Sequence, residues 1–184
     1  EGTAQINSPW SVEITTAEGT RTLTTRSIVI ATGARPFVPP IPGLEDVGYL
    51  TSDTVWNLRE LPNRLVVLGG GPIGSELTQT FARLGSQVTQ VEMAPRILIR
   101  EDPEVSEWVS QRFREEGINV LVNHKAQQFV VDHGAKVLIA EHQGQEVRIP
   151  FDAVLVAVGR VANTQGYGLE DLGIPAPRTV ETNE

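Results

Sequence analysis

The sequence predicts an α/β fold in which a parallel β–α–β sheet runs into an antiparallel β-meander. Three observations carry that expectation. A short apolar run, Arg64-Leu65-Val66-Val67-Leu68, ends in a glycine cluster and passes at once into a helical stripe. Three further β-type runs, over 127–131, 136–140 and 146–149, are separated by the turn residues Asp132-His133-Gly134 and Gln143-Gly144. The run Ala153-Val154-Leu155-Val156-Ala157-Val158 is continuously apolar, as a strand covered on both faces must be.

Taken in order from residue 64, the first strand leads into Gly69-Gly70-Gly71-Pro72-Ile73-Gly74. Ile73, Leu77, Phe81 and Leu84 then recur at helical spacing as one stripe, and Gly85 is a natural C-terminal stop. Val88 and Val91 support a second strand over 87–92, and a helix between two strands is the length a parallel pair requires. A second helix opens at Asp102-Pro103-Glu104, with an N-capping Asp, Pro in the first position and acid in the first turn. Its apolar face is expected to be Val105, Trp108, Val109 and Phe113, with Gly117 as its end. Ile118 to Val122 reads as a third strand.

The first third of the chain is read through an internal repeat. Val12-Glu13-Ile14 and Gly19 match Val137-Leu138-Ile139 and Gly144 at an offset of 125. The run Ile28-Val29-Ile30-Ala31-Thr32-Gly33 matches Val154 to Gly159 at an offset of 126. Each copy predicts a meander feeding a buried strand that ends in Ala-x-Gly, with an Arg close behind (Arg35 and Arg160). Duplication is the sharper explanation. The second copy is then the tail of the unit opening at Gly69, and the first is the tail of an earlier unit whose own glycine loop precedes residue 1. Segment 36–43, with Pro36, Pro39, Pro40, Pro42 and Gly43, is the expected linker. The expected organisation is 1–42, a C-terminal part of a truncated domain with its linker; 43–164, a complete nucleotide-binding domain; and 165–184, a return segment. The start at Glu1 fits a piece of a longer protein.

Composition narrows the function classes. Of the residues, 40% are hydrophobic and 21% charged, which is a globular balance. Lys+Arg 15 against Asp+Glu 23 gives a formal charge of -8, so neither nucleic acid nor an anionic membrane is an expected partner. No apolar run reaches the roughly 18 residues of a membrane span, and a cytoplasmic setting is expected. The chain has no cysteine, which removes disulfides, thiolate nucleophiles, Cys-ligated zinc and a dithiol redox pair from its own chemistry. His124, His133 and His142 lack ligand spacing and read as exposed loop residues, so no metal site is expected. Trp10, Trp56 and Trp108 are scattered and form no platform for stacking bases.

What remains is the strand–Gly69-x-Gly71-x-x-Gly74–helix unit with Glu92 ending the next strand, 23 residues beyond Gly69. This spacing is that of a Rossmann-like dinucleotide site. Gly69 permits the tight turn, Gly71 lets a diphosphate approach the main chain, and Gly74 lets the helix lie against the sheet. Pro72 and Ile73 complete the loop. The diphosphate would sit on unpaired N–H groups at the helix start. Glu92 can accept hydrogen bonds from ribose hydroxyls but repels a 2′-phosphate, so NAD(H) is favoured over NADP(H). Arg96 is the opposing residue, since it could hold a phosphate, although a flanking surface role suits it better. Glu76 is expected in the helix's first turn, either complementing the dipole or contacting the reactive end of the cofactor as the catalytic candidate. Gly159 and Arg160 are expected at the same sheet edge as the glycine loop. Two rival readings are a non-catalytic NAD(H)-sensing module and a methyltransferase. The third glycine and the meander count against the latter.

These motifs resemble the FAD-dependent pyridine nucleotide–disulfide oxidoreductases, most of all the mercuric reductase and dihydrolipoamide dehydrogenase branch, and the similarity spans essentially the whole chain. Ile28 to Pro36 is similar to the family's second flavin-side motif, Gly69 through Glu76 to its NAD loop, and Arg100-Glu101-Asp102-Pro103 to the mercuric-reductase-like branch. Gly159-Arg160-Val161-Ala162-Asn163-Thr164 is similar to the motif that closes the NAD domain, with Ala162 where Pro is usual. The resemblance implies that residues 1–42 are a truncated piece of a preceding FAD-binding domain, with Thr32 and Gly33 on the flavin side. It also implies that Glu76 lies near the nicotinamide–flavin contact, Glu92 on the adenosine ribose, and Gly159 and Arg160 along the cofactor. The parent would pass hydride from NAD(P)H to FAD and pair as a homodimer through a domain not in this sequence. The fragment alone is expected to be inactive, to bind NADH weakly and to bind FAD hardly at all.

Overall fold

The computed structural model describes residues 1–182. In chain order these form β1 (Thr3–Ser8), β2 (Ser11–Thr16), β3 (Gly19–Thr24), β4 (Ala34–Pro36), α1 (Leu44–Val47), β5 (Leu50–Thr51), β6 (Arg64–Leu68), α2 (Pro72–Leu84), β7 (Gln87–Val91), α3 (Pro103–Glu115), β8 (Asn119–Leu121), β9 (Lys125–Asp132), β10 (Ala135–His142), β11 (Gln145–Phe151), β12 (Ala153–Val156) and β13 (Arg160–Ala162). A short 3-10 turn, Val55–Asn57, precedes β6. The contacts divide the chain into two units: Glu1–Arg35 together with the chain from Arg160 onward, and Pro36–Gly159.

In the first unit β1, β2 and β3 form an antiparallel meander. Its buried centre is small, built on Ile6 and Leu169, with the Ile6 N–H donating to the Tyr167 carbonyl at 2.8 Å. The expected buried strand over Ile28–Gly33 does not form: no ladder engages these residues and Val29 is 87% exposed. An apolar run becomes a buried strand only when neighbouring strands supply its hydrogen bonds and a facing layer covers it. Among the described residues neither is present for 28–33. The repeat therefore holds for the meanders and fails at the strand they feed.

The second unit is a three-layer α/β structure. Its sheet has the order β5-β12-β6-β7-β8, with every pair parallel. Alternation along β6 sends Leu65 and Val67 to one face and Val66 and Leu68 to the other. The first pair packs with Val55, Val88 and Leu155 against Leu77 and Phe81 of α2. The second pair packs with Val91, Val154 and Val156 against the meander β9–β10–β11, through Phe129, Leu138 and Phe151, and against Leu44 and Val47 of α1. Both meander turns use two residues at positive φ, His133–Gly134 and Gln143–Gly144, the pattern that matches strand twist in a two-residue hairpin. β12 lies between β5 and β6 with Val154, Leu155 and Val156 all buried, as its unbroken apolar run predicts.

Both helix stripes need correction. In α2, Ile73 is 36% and Leu84 63% exposed, while the inward face is Gly74, Ser75, Leu77, Thr78 and Phe81. Small residues sit where the helix start meets the loop closely, so apolar spacing alone misplaces the face. In α3, Val105 and Trp108 are exposed, and the buried residues are Ser106 and Phe113. Ser106 is inward because its hydroxyl donates to the Ile97 carbonyl at 2.7 Å. Asp102 makes no side-chain capping bond. The histidines also differ from expectation: His124 and His142 are half-buried and stack with ring centroids 4.2 Å apart.

Candidate functional site

The parallel sheet reverses its winding between β6 and β12. From β6 the chain passes outward through α2 to β7 and β8, then returns by the meander to β12 on the other side. Ligands of open α/β sheets bind beyond the carboxyl ends of the strands at such a reversal. Here the Ala157 N–H donates to the Leu68 carbonyl at 2.8 Å, and Gly69 to Gly74 fill the junction.

The glycines of the junction differ in what holds them there. Gly69 has φ 107, and a Cβ there would stand 2.4 Å from the Ala157 carbonyl oxygen. A Cβ on Gly74 would stand 2.3 Å from the Gly69 carbonyl oxygen, so its smallness serves the loop more than the sheet. A Cβ on Gly71 would meet nothing within 4 Å, and φ there is −74°. Gly71 has neither a strained backbone nor a crowded neighbour to demand a glycine, and its main chain lies open.

The N–H groups complete the cradle. Ser75 donates to the Gly71 carbonyl at 2.9 Å, the first bond of α2, and Pro72 has no N–H to give. The N–H groups of Gly71, Ile73 and Gly74 have no acceptor among the described residues. Three unpaired donors at the positive end of a 13-residue helix are the chemistry of an anion site. The residues present therefore fit a diphosphate.

Glu92 lies beside this cradle, half-buried. Its Oε2 accepts from the Gly70 N–H at 2.5 Å and its Oε1 from the Ala94 N–H at 2.6 Å. Each oxygen keeps a lone pair, so the anchored carboxylate can still accept from a ligand hydroxyl. Arg96 is committed to its own loop, donating to the carbonyls of Ile99 at 3.0 Å and Glu101 at 2.9 Å. That engagement suits the flanking surface role. Glu76 is the fifth residue of α2, past the first turn, exposed, and its carboxylate has no partner among the described residues. It lines an open groove of about 330 Å³ with Pro72, Ser75, Gln79, Leu98 and Glu101.

Gly69, Gly71, Pro72, Ile73, Gly74, Glu76, Glu92 and Gly159 thus share the second unit, with Gly159 at φ 140 just past β12. Thr32, Gly33 and Arg160 belong to the first. There Thr32 Oγ1 donates to the Asn163 carbonyl at 2.6 Å, Asn163 Nδ2 donates to the Thr32 carbonyl at 2.9 Å, and Arg160 donates to the Ala34 carbonyl. Asn163 ties this corner together, and its sequence position gave no sign of that role. Gln90, fully buried beneath the glycine loop, is the other residue that spacing missed, because it occupies a position where alternation calls for an apolar side chain.

Comparisons with known proteins bear on the family and the fold. The family described as "Pyridine nucleotide-disulphide oxidoreductase" matches residues 2–184. The mercuric reductase of Staphylococcus aureus is 40% identical over 164 residues, covering 88% of this chain and 30% of that protein. The mitochondrial dihydrolipoyl dehydrogenase of Dictyostelium discoideum is 34% identical over 183 residues, covering 97% and 38%. Among solved structures, the HOCl-induced flavoprotein disulfide reductase RclA from Escherichia coli, in a Cu(II) complex, superposes with a TM-score of 0.83 at 32% identity, covering 99% of this chain and 41% of that one. The chain spans about a third of the length of the curated relatives it matches.

Proposed function

Since the chain belongs to the pyridine nucleotide-disulphide oxidoreductase family, we propose that its second unit is the NAD(H)-binding domain of a flavin-dependent oxidoreductase, and that the first is a piece of the FAD-binding domain. The observation that carries this reading is the set of three unpaired N–H groups at Gly71, Ile73 and Gly74, opening at the sheet's point of reversal. A diphosphate supplies the acceptors they lack.

Around that anchor, Glu92 accepts from the adenosine ribose hydroxyls and disfavours a 2′-phosphate by charge. Gly159 lies along the cofactor, and its missing side chain leaves space there. Glu76, exposed and unpartnered, is available to the nicotinamide end. Arg160 turns toward its own unit's backbone. On the flavin side, Gly33 has φ 69 and open space where a Cβ would stand, and the N–H groups of Thr32 and Gly33 have no acceptor among the described residues. Those donors suit a flavin or its phosphates. When both cofactors are bound they carry the redox chemistry, hydride passing from nicotinamide to flavin, and the protein's part is to hold and orient them. In the whole protein the electron acceptor and a homodimeric partner would be engaged by residues outside this chain.

Thermal shift and calorimetric titration of the 184-residue chain test the reading. NADH is expected to stabilise it more than NADPH, and S-adenosylmethionine not at all. Equal or greater stabilisation by NADPH would remove the role given to Glu92. Tight FAD binding by the chain alone would contradict the division of sites.

A further inference from the structure

Beneath the glycine loop lies a buried polar pair that the diphosphate cradle does not itself use. Gln90 is on β7, the strand beside β6, and is 0% exposed. Its Nε2 donates to the Gly69 carbonyl at 3.0 Å and to Ser75 Oγ at 3.3 Å. The orientation is chemically fixed, because a carbonyl oxygen can only accept. Ser75 is buried in the first turn of α2, and its hydroxyl lies 3.5 Å from the Gly70 carbonyl. One amide therefore bridges the loop's first residue and the helix's first turn.

That bridge has a cost. Among the described residues Gln90 Oε1 is buried with no partner, as is Thr78 Oγ1 on the face of α2 turned to the sheet. A buried acceptor left unsatisfied typically costs about 1–3 kcal/mol, a cost set against the two bonds that Nε2 makes. A polar side chain in an apolar layer, aimed at one carbonyl of the cofactor loop, marks a place where stability yields to placement.

We propose that Gln90 is a positioning residue for the dinucleotide site. It acts by holding the Gly69 carbonyl down, so that the N–H groups of Gly71, Ile73 and Gly74 stay aimed at one point. The geometry of Gly69 supports this, because its carbonyl is already confined between Gln90 and Gly74. Losing the amide frees the loop to rotate at the residue whose orientation sets those that follow. The inference rests on the NAD(H) reading above.

The test compares NADH affinity with stability in the whole chain for Gln90→Met and Gln90→Leu, which put an apolar side chain of similar length or bulk in its place. Calorimetry should show binding weakened about five- to tenfold, the scale of one lost hydrogen bond. The melting temperature should change little, since the orphaned oxygen is gone while the Gly69 carbonyl loses its donor. Amide exchange at Gly69–Gly74 should quicken while β6 and β7 keep their protection. NADH binding within twofold of wild type, or a binding loss accompanied by a fall in melting temperature and general loss of protection, would overturn the proposal. Failure of the wild-type chain to bind NADH at all would instead overturn the reading on which it rests.

Discussion

The carboxylate of Glu92 is held by the loop it stands beside: one oxygen is 2.5 Å from the Gly70 N–H and the other 2.6 Å from the Ala94 N–H. A residue proposed for ligand contact is thus also a strut of the loop itself. Glu92→Gln keeps the shape but replaces one acceptor with a donor, which must face an N–H. The expected loss is about 1–3 kcal/mol of stability, read from urea unfolding. The preference for NADH over NADPH should shrink as well, because the charge that repels the 2′-phosphate is gone. A variant as stable and as selective as wild type would show that neither contact matters.

Two glycines three residues apart should respond in opposite ways. Gly74→Ala places a methyl group 2.3 Å from the Gly69 carbonyl oxygen, and relieving that overlap should cost about 1–3 kcal/mol. Gly71→Ala meets nothing within 4 Å and has an ordinary φ of −74°, so the fold should keep its stability or gain slightly from a less flexible unfolded chain. NADH binding should nonetheless fall at least about tenfold, as the new methyl occupies the diphosphate's approach. Unfolding and calorimetry on both variants check the contrast.

Gly43 extends the same logic to the proline-rich segment. At φ 77 its missing side chain leaves room for the main chain of Phe129, whose carbonyl oxygen would stand 2.0 Å from a Cβ, and Phe129 donates to the Pro42 carbonyl at 2.8 Å. Gly43→Ala carries both a backbone penalty and a main-chain clash. A clear drop in urea midpoint is expected, with faster amide exchange at Phe129.

The parallel unit was legible because its signals are local. Apolar runs fix β6 and β12, and tight-turn pairs fix the meander. The glycine spacing with Glu92 fixes the junction, since Gly69 and Gly74 answer contacts across to Ala157 and within the loop. What escaped the sequence depends on distant partners. Ile28–Gly33 has the composition of a buried strand, but composition cannot say whether neighbouring strands are there to pair. Segment 36–43 reads as a linker from its prolines, yet Val38 and Ile41 pack on the core beside α1. Gln90 and Asn163 were invisible for the same reason: their importance lies in which carbonyl each reaches, and a single polar residue in a strand or loop announces none. Glu76 lies past the first turn because α2 opens at Pro72, two residues before the loop's last glycine.

The end of α3 supplies a pH-dependent clamp. Glu116 accepts from Arg83 at 2.7 Å and from Gln79 at 3.1 Å, both on α2, and from Arg112 on α3 at 2.7 Å. These bonds, that from Arg83 foremost, lower its carboxyl from the usual 4.5 to about 2 despite an opposing effect of burial. A carboxylate whose folded value is depressed contributes stability that is fully present above its unfolded value and is lost as pH falls through the folded one. The contribution should therefore hold down to about pH 4.5 and disappear between there and about pH 2. Glu116→Gln removes it at every pH, so the variant should be less stable than wild type near neutrality, and the two should converge toward pH 2. The variant's curve should still slope downward in acid, because Asp152 is also lowered, chiefly by its hydrogen bond from Arg64. Urea midpoints measured across this range check the prediction: a constant gap between the two proteins down to pH 2 would mean that the clamp around Glu116 does not depend on its charge.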